Sequence, residues 1–263
     1  MARFMFFVDG SNLVGTLKHL GIEIPDYGAF YRLVFEHAVT EWKRMFMGGV
    51  HPPAELRRVQ WYALARIDEW NLEDPRTQAH LRTRFDAPSA KKHKASYLSE
   101  AGRASPGKSP AELAEIAWAS CFAEFKEWYH GRQELLAGFR RFYHSLQATT
   151  DFIDVIECGW WKVFFPDFSV EEKALDTTLA VDMVVLADNY DVALLVTGDA
   201  DAIPSVQHVK SENKVVAAIE FLKGYPPEKR SQQASSRLKV SVDFVVPIYE
   251  MDLVGKGIGK KVT

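Results

Sequence analysis

The chain has little cysteine. Only Cys121 and Cys158 occur among its 263 residues, and neither belongs to a CxxC pair. Neither a disulfide framework nor a cysteine zinc site is expected, and two reduced thiols suit a reducing compartment. Long apolar runs are also missing. The N-terminal run 4–8 ends at Asp9 after five residues. A signal peptide needs a longer apolar stretch and a small-residue cleavage site. No stretch approaches the roughly eighteen apolar residues of a membrane span. The expectation is a soluble, cytoplasmic protein with no membrane partner. Excess charge of one sign is lacking as well: 32 Lys and Arg stand against 35 Asp and Glu, for a net charge of -3. No global field draws the chain to a polyanion, so any such binding needs a local patch. There is no P-loop, no G-x-G-x-x-G and no H-E-x-x-H, and the eight histidines form no paired-ligand motif. Ser11 lacks the G-x-S-x-G setting of a nucleophile elbow.

What is present is globular. Hydrophobic residues make up 47% and charged residues 25%, enough for a sizeable core in one large domain or two small ones at about 150 residues each. Residues 4–8 read as a strand buried on both faces. The cap-like Asp9-Gly10-Ser11-Asn12 follows, then a helix over 13–20. Strand, turn and helix within twenty residues open an α/β domain. Further helices are expected at 27–47, 73–86, 111–129 and 133–147, and strands at 59–65 and at 152–158, the latter continued by 160–165. The segment 171–189 reads as one almost apolar helix. Strands at 192–197, 214–220 and 242–248 alternate with a helix at 202–212, and a polar loop is expected at 223–235. This alternation implies a mainly parallel sheet. Residues 88–110, rich in Pro, Ser, Gly and Lys, read as a loop. The segment 70–133 is too long for an ordinary crossover and reads as an insertion into a single domain spanning 1–263.

The acids carry the chemistry. In a parallel sheet, ligands collect beyond the carboxyl ends of the strands. Asp9 directly follows the first strand, and Asp199 and Asp201 directly follow the strand ending at Thr197. Each alone is an ordinary turn aspartate. Together on neighbouring strands they would repel, and cations would compensate them. Hard oxygen ligands favour Mg²⁺ or Mn²⁺. Asp182 falls on the apolar stripe Leu175, Leu179, Leu186 and would be buried against the sheet, in need of a partner. Asp176 sits near the start of the same helix, where the dipole favours a carboxylate. An aspartyl-phosphate enzyme would carry a second acid two residues after the first aspartate; here that position is Ser11.

Four motifs in order resemble the NYN family of PIN-like nucleases. They are Phe7-Val8-Asp9-Gly10-Ser11-Asn12, Lys173-Ala174-Leu175-Asp176 running on to Asp182, Val196-Thr197-Gly198-Asp199-Ala200-Asp201, and Ser236-Arg237-Leu238 running on to Asp243-Phe244-Val245. The resemblance covers about 1–25, 55–68 and 135–250. It implies an α/β, PIN-like (Rossmann-like) three-layer sandwich with a central, mainly parallel sheet and a helical or loop insertion. It also implies metal-dependent cleavage of RNA. Metal ligands carried over from the family fall on Asp9, Asp176, Asp199 and Asp201, with Asp182 as a further candidate, and Asn12 falls on the polar residue that orients the first aspartate or a phosphate. The family usually has Ser where Thr197 stands and Phe where Ala202 stands.

On this reading Asp9, Asp176, Asp199 and Asp201 serve phosphodiester hydrolysis with Mg²⁺ or Mn²⁺. Ser11, Asn12 and Thr197 supply hydrogen bonds to phosphate or water, and Lys173 supplies a point charge. Within 91–108, the basic residues Lys91, Lys92, Lys94, Arg103 and Lys108 face one acid, Glu100, and Tyr97 offers a ring. Lys91, Lys92 and Lys94 are therefore candidate contacts to single-stranded or structured RNA. A free ribonuclease is toxic, so control by a regulatory protein partner or by homodimerisation is expected. Two alternatives stay open: an inactive PIN-like RNA-binding scaffold, and a structure-specific DNA nuclease.

Overall fold

The computed structural model describes residues 1–45, 51–226 and 235–262. The expected helix over 27–47 and the loop over 223–235 reach outside these residues and are described only as far as they go. The strands are β1 (Ala2–Asp9), β2 (Ile22–Glu23), β3 (Ala54–Ile67), β4 (Ile153–Phe164), β5 (Ser169–Lys173), β6 (Val192–Val196), β7 (Val215–Leu222), β8 (Phe244–Tyr249) and β9 (Lys260–Lys261). The helices are α1 (Gly10–His19), α2 (Tyr27–Met45), α3 (Pro75–Phe85), α4 (Lys91–Ala104), α5 (Pro110–Thr149), α6 (Leu175–Val185), α7 (Ile203–Ser211), α8 (Ser236–Ser241) and α9 (Glu250–Gly255). Seven strands form one sheet in the order β5-β4-β3-β1-β6-β7-β8. β1 runs parallel to both β3 and β6, and β6, β7 and β8 continue the parallel set. At the edge of this sheet β5 runs antiparallel to its neighbour, β4. This is the mixed α/β, mainly parallel architecture of a PIN-like fold.

The chain packs as two compact units. The first contains Met1–Leu64, Arg141–Gly159 and Ala174–Thr263; the second contains Ala65–Arg140 and Trp160–Lys173. In the first unit, β1 is covered on both faces, which is why its sequence is continuously apolar. Phe4 and Phe6 meet α2, with Phe4 5.4 Å from Trp42 and Phe6 5.2 Å from Tyr31 between ring centres. On the other face Met5 and Phe7 join Leu175, Leu179 and Met183 of α6 and Val206 and Val209 of α7. Helix, sheet and helix make three layers there.

The expected insertion 70–133 lies within the second unit. Residues 88–110 do not form a loop. A short 3-10 turn at Pro88–Ala90 leads directly into α4. Pro88 and Pro106 bracket the segment, and no proline or β-branched residue lies within 91–104 to oppose the helix. The helix is fastened to its neighbours: Tyr97 packs 6.2 Å from Phe85, and its hydroxyl donates to Glu124 Oε2 at 2.7 Å. The two helices expected at 111–129 and 133–147 are one helix, the 40-residue α5. Gly131 does not break it, because one glycine costs about 1 kcal/mol against a helix packed along much of its length. The segment 171–189 is not a single helix either. Its first residues form β5, which pairs with β4 in the register Lys162↔Glu171. Ala174, at φ 70, then turns the chain into α6, which ends at Val185. Among the described residues, no helix is long and apolar enough to cross a membrane.

Candidate active site

The pairing Val8↔Val196 sets the ends of β1 and β6 side by side. The next residues, Asp9 and Thr197, therefore emerge at one carboxyl edge. Both are buried, at 7% and 5% exposure. Asp9 is the N-cap of α1: its Oδ1 accepts the Asn12 backbone N–H at 2.9 Å. That bond pins the carboxylate at the head of the helix. Gly10 is required here by crowding, since a Cβ at this position would lie 2.2 Å from Trp61 Nε1 and 2.7 Å from the Tyr62 carbonyl oxygen.

After β6 the chain turns tightly. The Asp199 N–H donates to Thr197 Oγ1 at 3.2 Å, and Asp199 Oδ1 accepts the Asp201 N–H at 3.0 Å. Asp199 and Asp201 are exposed. Asp176 occupies the first turn of α6 and is half-buried. Burial first, and then the charges of Asp199 and Asp201, raise its carboxyl above the ordinary value. The three aspartates thus share one electrostatic field. Asp182 does not join them. It accepts from the Tyr62 hydroxyl at 3.0 Å, and burial together with this carboxylate raises the Tyr62 phenol. The partner that its stripe position called for is Tyr62.

Ser11 and Asn12 lie in the first turn of α1, and both are half-buried. Lys173 ends β5 and pairs with Glu171. Lys91 and Lys92 are exposed on α4, while Lys94 is paired with Asp86 at 2.6 Å. These lysines belong to the second unit, and the aspartates to the first.

Arg237 lies near Asp201, a position that the spacing of the acids does not reveal. It lies on α8 and lines a cleft of about 290 Å³ with Ala200, Asp201, Ile203 and Pro204. The Ser235 N–H donates to the Gly198 oxygen at 3.1 Å, which ties the start of α8 to the aspartate turn. The Ser236-Arg237-Leu238 run is the one sequence signal for it. A larger cleft of about 950 Å³, lined among others by Lys18, Tyr27, Phe142 and Thr149, holds none of these carboxylates.

The donors are all carboxylates, a chemistry suited to a hard divalent cation. Among the described residues, no group of three or more His, Cys, Asp or Glu side chains is arranged to hold a metal ion. The aspartates form a shared field rather than a closed ligand shell.

No curated protein matches the chain significantly. A crystal structure of a protein of unknown function from Vibrio parahaemolyticus is similar at 16% identity and a TM-score of 0.45, over 95% of this chain and 94% of that one. Residues 115–245 match the NYN domain, a PIN-like nuclease domain. The matched span takes in Asp176, Asp182, Asp199 and Asp201 and leaves out Asp9. With the mainly parallel sheet and the acids at its carboxyl edge, this match assigns residues 115–245 to the NYN domain family.

Proposed function

We propose that the protein is a divalent-metal-dependent endoribonuclease acting at Asp9, Asp176, Asp199 and Asp201. The observation that carries the reading is the shared field at the sheet edge. Asp176 is raised by Asp199 and Asp201, and the strand register sets Asp9 beside the same turn. Clustered carboxylates without a cation cost stability, so their retention favours a site that binds one. When bound, Mg²⁺ or Mn²⁺ supplies a Lewis acid that activates water and offsets charge at the scissile phosphate.

The protein's own residues do the positioning. The Asn12 N–H holds Asp9 Oδ1 toward the edge. Thr197 Oγ1 and the Asp201 N–H fix the Asp199 turn from both sides. The Ser11 and Asn12 side chains stand at the head of α1, where the helix dipole favours an anion such as the substrate phosphate. Arg237 beside Asp201 supplies a guanidinium for a phosphate oxygen. Lys173, Lys91 and Lys92 are cations of the second unit that the same reading assigns to RNA binding.

The test is incubation of labelled single-stranded RNA, duplex RNA and DNA with Mn²⁺ or with EDTA. Cleavage of RNA that EDTA abolishes is expected. Binding without cleavage would make the protein an inactive PIN-like scaffold, and cleavage confined to structured DNA would make it a DNA nuclease.

A further inference from the structure

We infer that the second unit carries a groove for single-stranded RNA along α3, distinct from the aspartate edge. On α3, Arg76, His80 and Arg84 follow one another at i, i+4 and i+8. They line a cleft of about 550 Å³ together with Lys162 and Phe164 of β4 and Trp70. Each step of four residues advances about 6 Å along the helix, close to the phosphate step of an extended single strand.

The pairing pattern separates this face from the rest of the helix. Arg82 lies roughly opposite the stripe at about 100° per residue. It is bound by Asp86 at 3.1 Å and by Glu115 at 2.9 Å. Among the described residues, Arg76, Arg84 and Lys162 have no carboxylate partner, and all three are exposed. Asp68 and Glu69 share the lining. Asp68 Oδ2 accepts the Val163 N–H at 3.0 Å, so that carboxylate is occupied by the strand. Glu171, opposite Lys162 in the sheet register, is paired with Lys173. Three cations thus face two carboxylates, Asp68 and Glu69, so the lining keeps a positive balance for a polyanion.

The rings say which polyanion. Trp70 and Phe164 are half-buried in the same cleft, and the Lys162 Nζ lies 5.2 Å from the Phe164 ring centre. Alternation along β4 puts Trp160 on the face of Lys162 and Phe164, with the Arg66 guanidinium 5.5 Å from its ring centre. Cations spaced like phosphates beside half-buried aromatic rings suit unpaired bases, which stack on aromatics where a duplex cannot.

The inference rests on the RNA reading above and deepens it by adding a binding path. The experiment is fluorescence anisotropy of a labelled single-stranded RNA on the full chain in EDTA, across a salt series. R76Q/R84Q/K162Q should weaken binding about ten-fold or more and flatten the log–log salt slope by about 2, at about 0.7 per phosphate contact. K43Q/K256Q/K260Q removes the same charge elsewhere and should leave both unchanged. F164L should weaken binding about five-fold without changing the slope, as loss of a stacking ring does. An unchanged slope in that triple variant, an equal shift in the control triple, or no RNA binding by the wild type would overturn the inference. Binding effects as described with no cleavage by the wild type would leave the groove standing and remove the nuclease reading instead.

Discussion

Replacing Gly10 by alanine should destabilise the protein, while the same replacement at Gly15 on the same helix should stabilise it. At Gly15 an added Cβ meets nothing within 4 Å. Alanine there removes the backbone entropy cost of a helical glycine, worth about 0.5–1 kcal/mol. At Gly10 the Cβ would lie 2.2 Å from Trp61 Nε1, 2.7 Å from the Tyr62 oxygen and 2.9 Å from Trp61 Cε2. A flexible side-chain tip could move aside, but these atoms cannot. One belongs to the β3 backbone. The indole is fully buried, with Tyr27 5.3 Å and Phe142 6.0 Å away between ring centres. Overpacking of this kind costs about 1–3 kcal/mol. The two variants should therefore differ by about 1.5–4 kcal/mol with opposite signs, or roughly 3–16 °C in melting temperature at 2–4 °C per kcal/mol. Urea unfolding followed by circular dichroism measures the free energies directly. G10A should also lose cleavage beyond its loss of stability, because relief of the clash pushes the start of α1 away from the Asp9 Oδ1 that its Asn12 N–H holds. A G10A protein as stable as wild type would refute the packing argument.

Three further outcomes are expected. Asp199→Asn should abolish cleavage and leave the circular dichroism spectrum unchanged, and without divalent metal it should melt no lower than wild type, because it removes a charge that repels Asp176; wild-type cleavage rates would refute the assignment. Asp176→Ala should lose Mn²⁺ affinity by calorimetry with little change in melting temperature, whereas Asp182→Ala should lose about 1–3 kcal/mol of stability by stranding the Tyr62 hydroxyl; equal metal-affinity losses at unchanged stability would make Asp182 a ligand. Asp191→Asn should cost about 0.5–1 kcal/mol at pH 7 after screening of this partly exposed pair. Arg3 holds the Asp191 carboxyl below its ordinary value of 3.8, so the contribution is present above about pH 4 and is lost as pH falls through the lowered folded value; a difference between variant and wild type that persists at pH 2 would contradict it.

The first unit was largely legible because its signals are local. A short apolar run followed by Asp-Gly-Ser-Asn is a buried strand meeting a helix cap, and β1 and α1 follow that pattern. The second unit was less legible because its elements are decided by pairings that composition does not show. The Lys-rich, Ser-rich composition of 91–104 reads as solvated, yet Tyr97 reaches Glu124 and Lys94 reaches Asp86, and these contacts hold a helix. Glu171, Glu172 and Lys173 carry the charges of a helix start, but they form a five-residue strand whose β4 partner lies only a few residues upstream. Arg237 was hidden for a similar reason: its nearness to Asp201 depends on the bond from Ser235 to Gly198 across some forty residues of chain.

The two acids of α6 show where sequence pattern stops and geometry decides. Asp176 and Asp182 share a helix and a charge, and six residues separate them, about 9 Å of rise. That distance carries the carboxylate from the edge, where Asp199 and Asp201 raise its carboxyl, to the Tyr62 hydroxyl. Tyr62 is level with Asp9 in the register of β1 and β3, so the residue that satisfies Asp182 is the cross-strand neighbour of Asp9. The bond from the Tyr62 phenol to this carboxylate ties α6 to β3. Asp182 is therefore expected to act on the site through position rather than by ligation, so that Asp182→Ala lowers metal affinity together with stability. Tyr62→Phe should move metal affinity in the direction of Asp182→Ala and by a smaller amount, because the ring that fills the core remains in place. A Tyr62→Phe protein with wild-type stability and wild-type metal affinity would show that the phenol bond braces nothing.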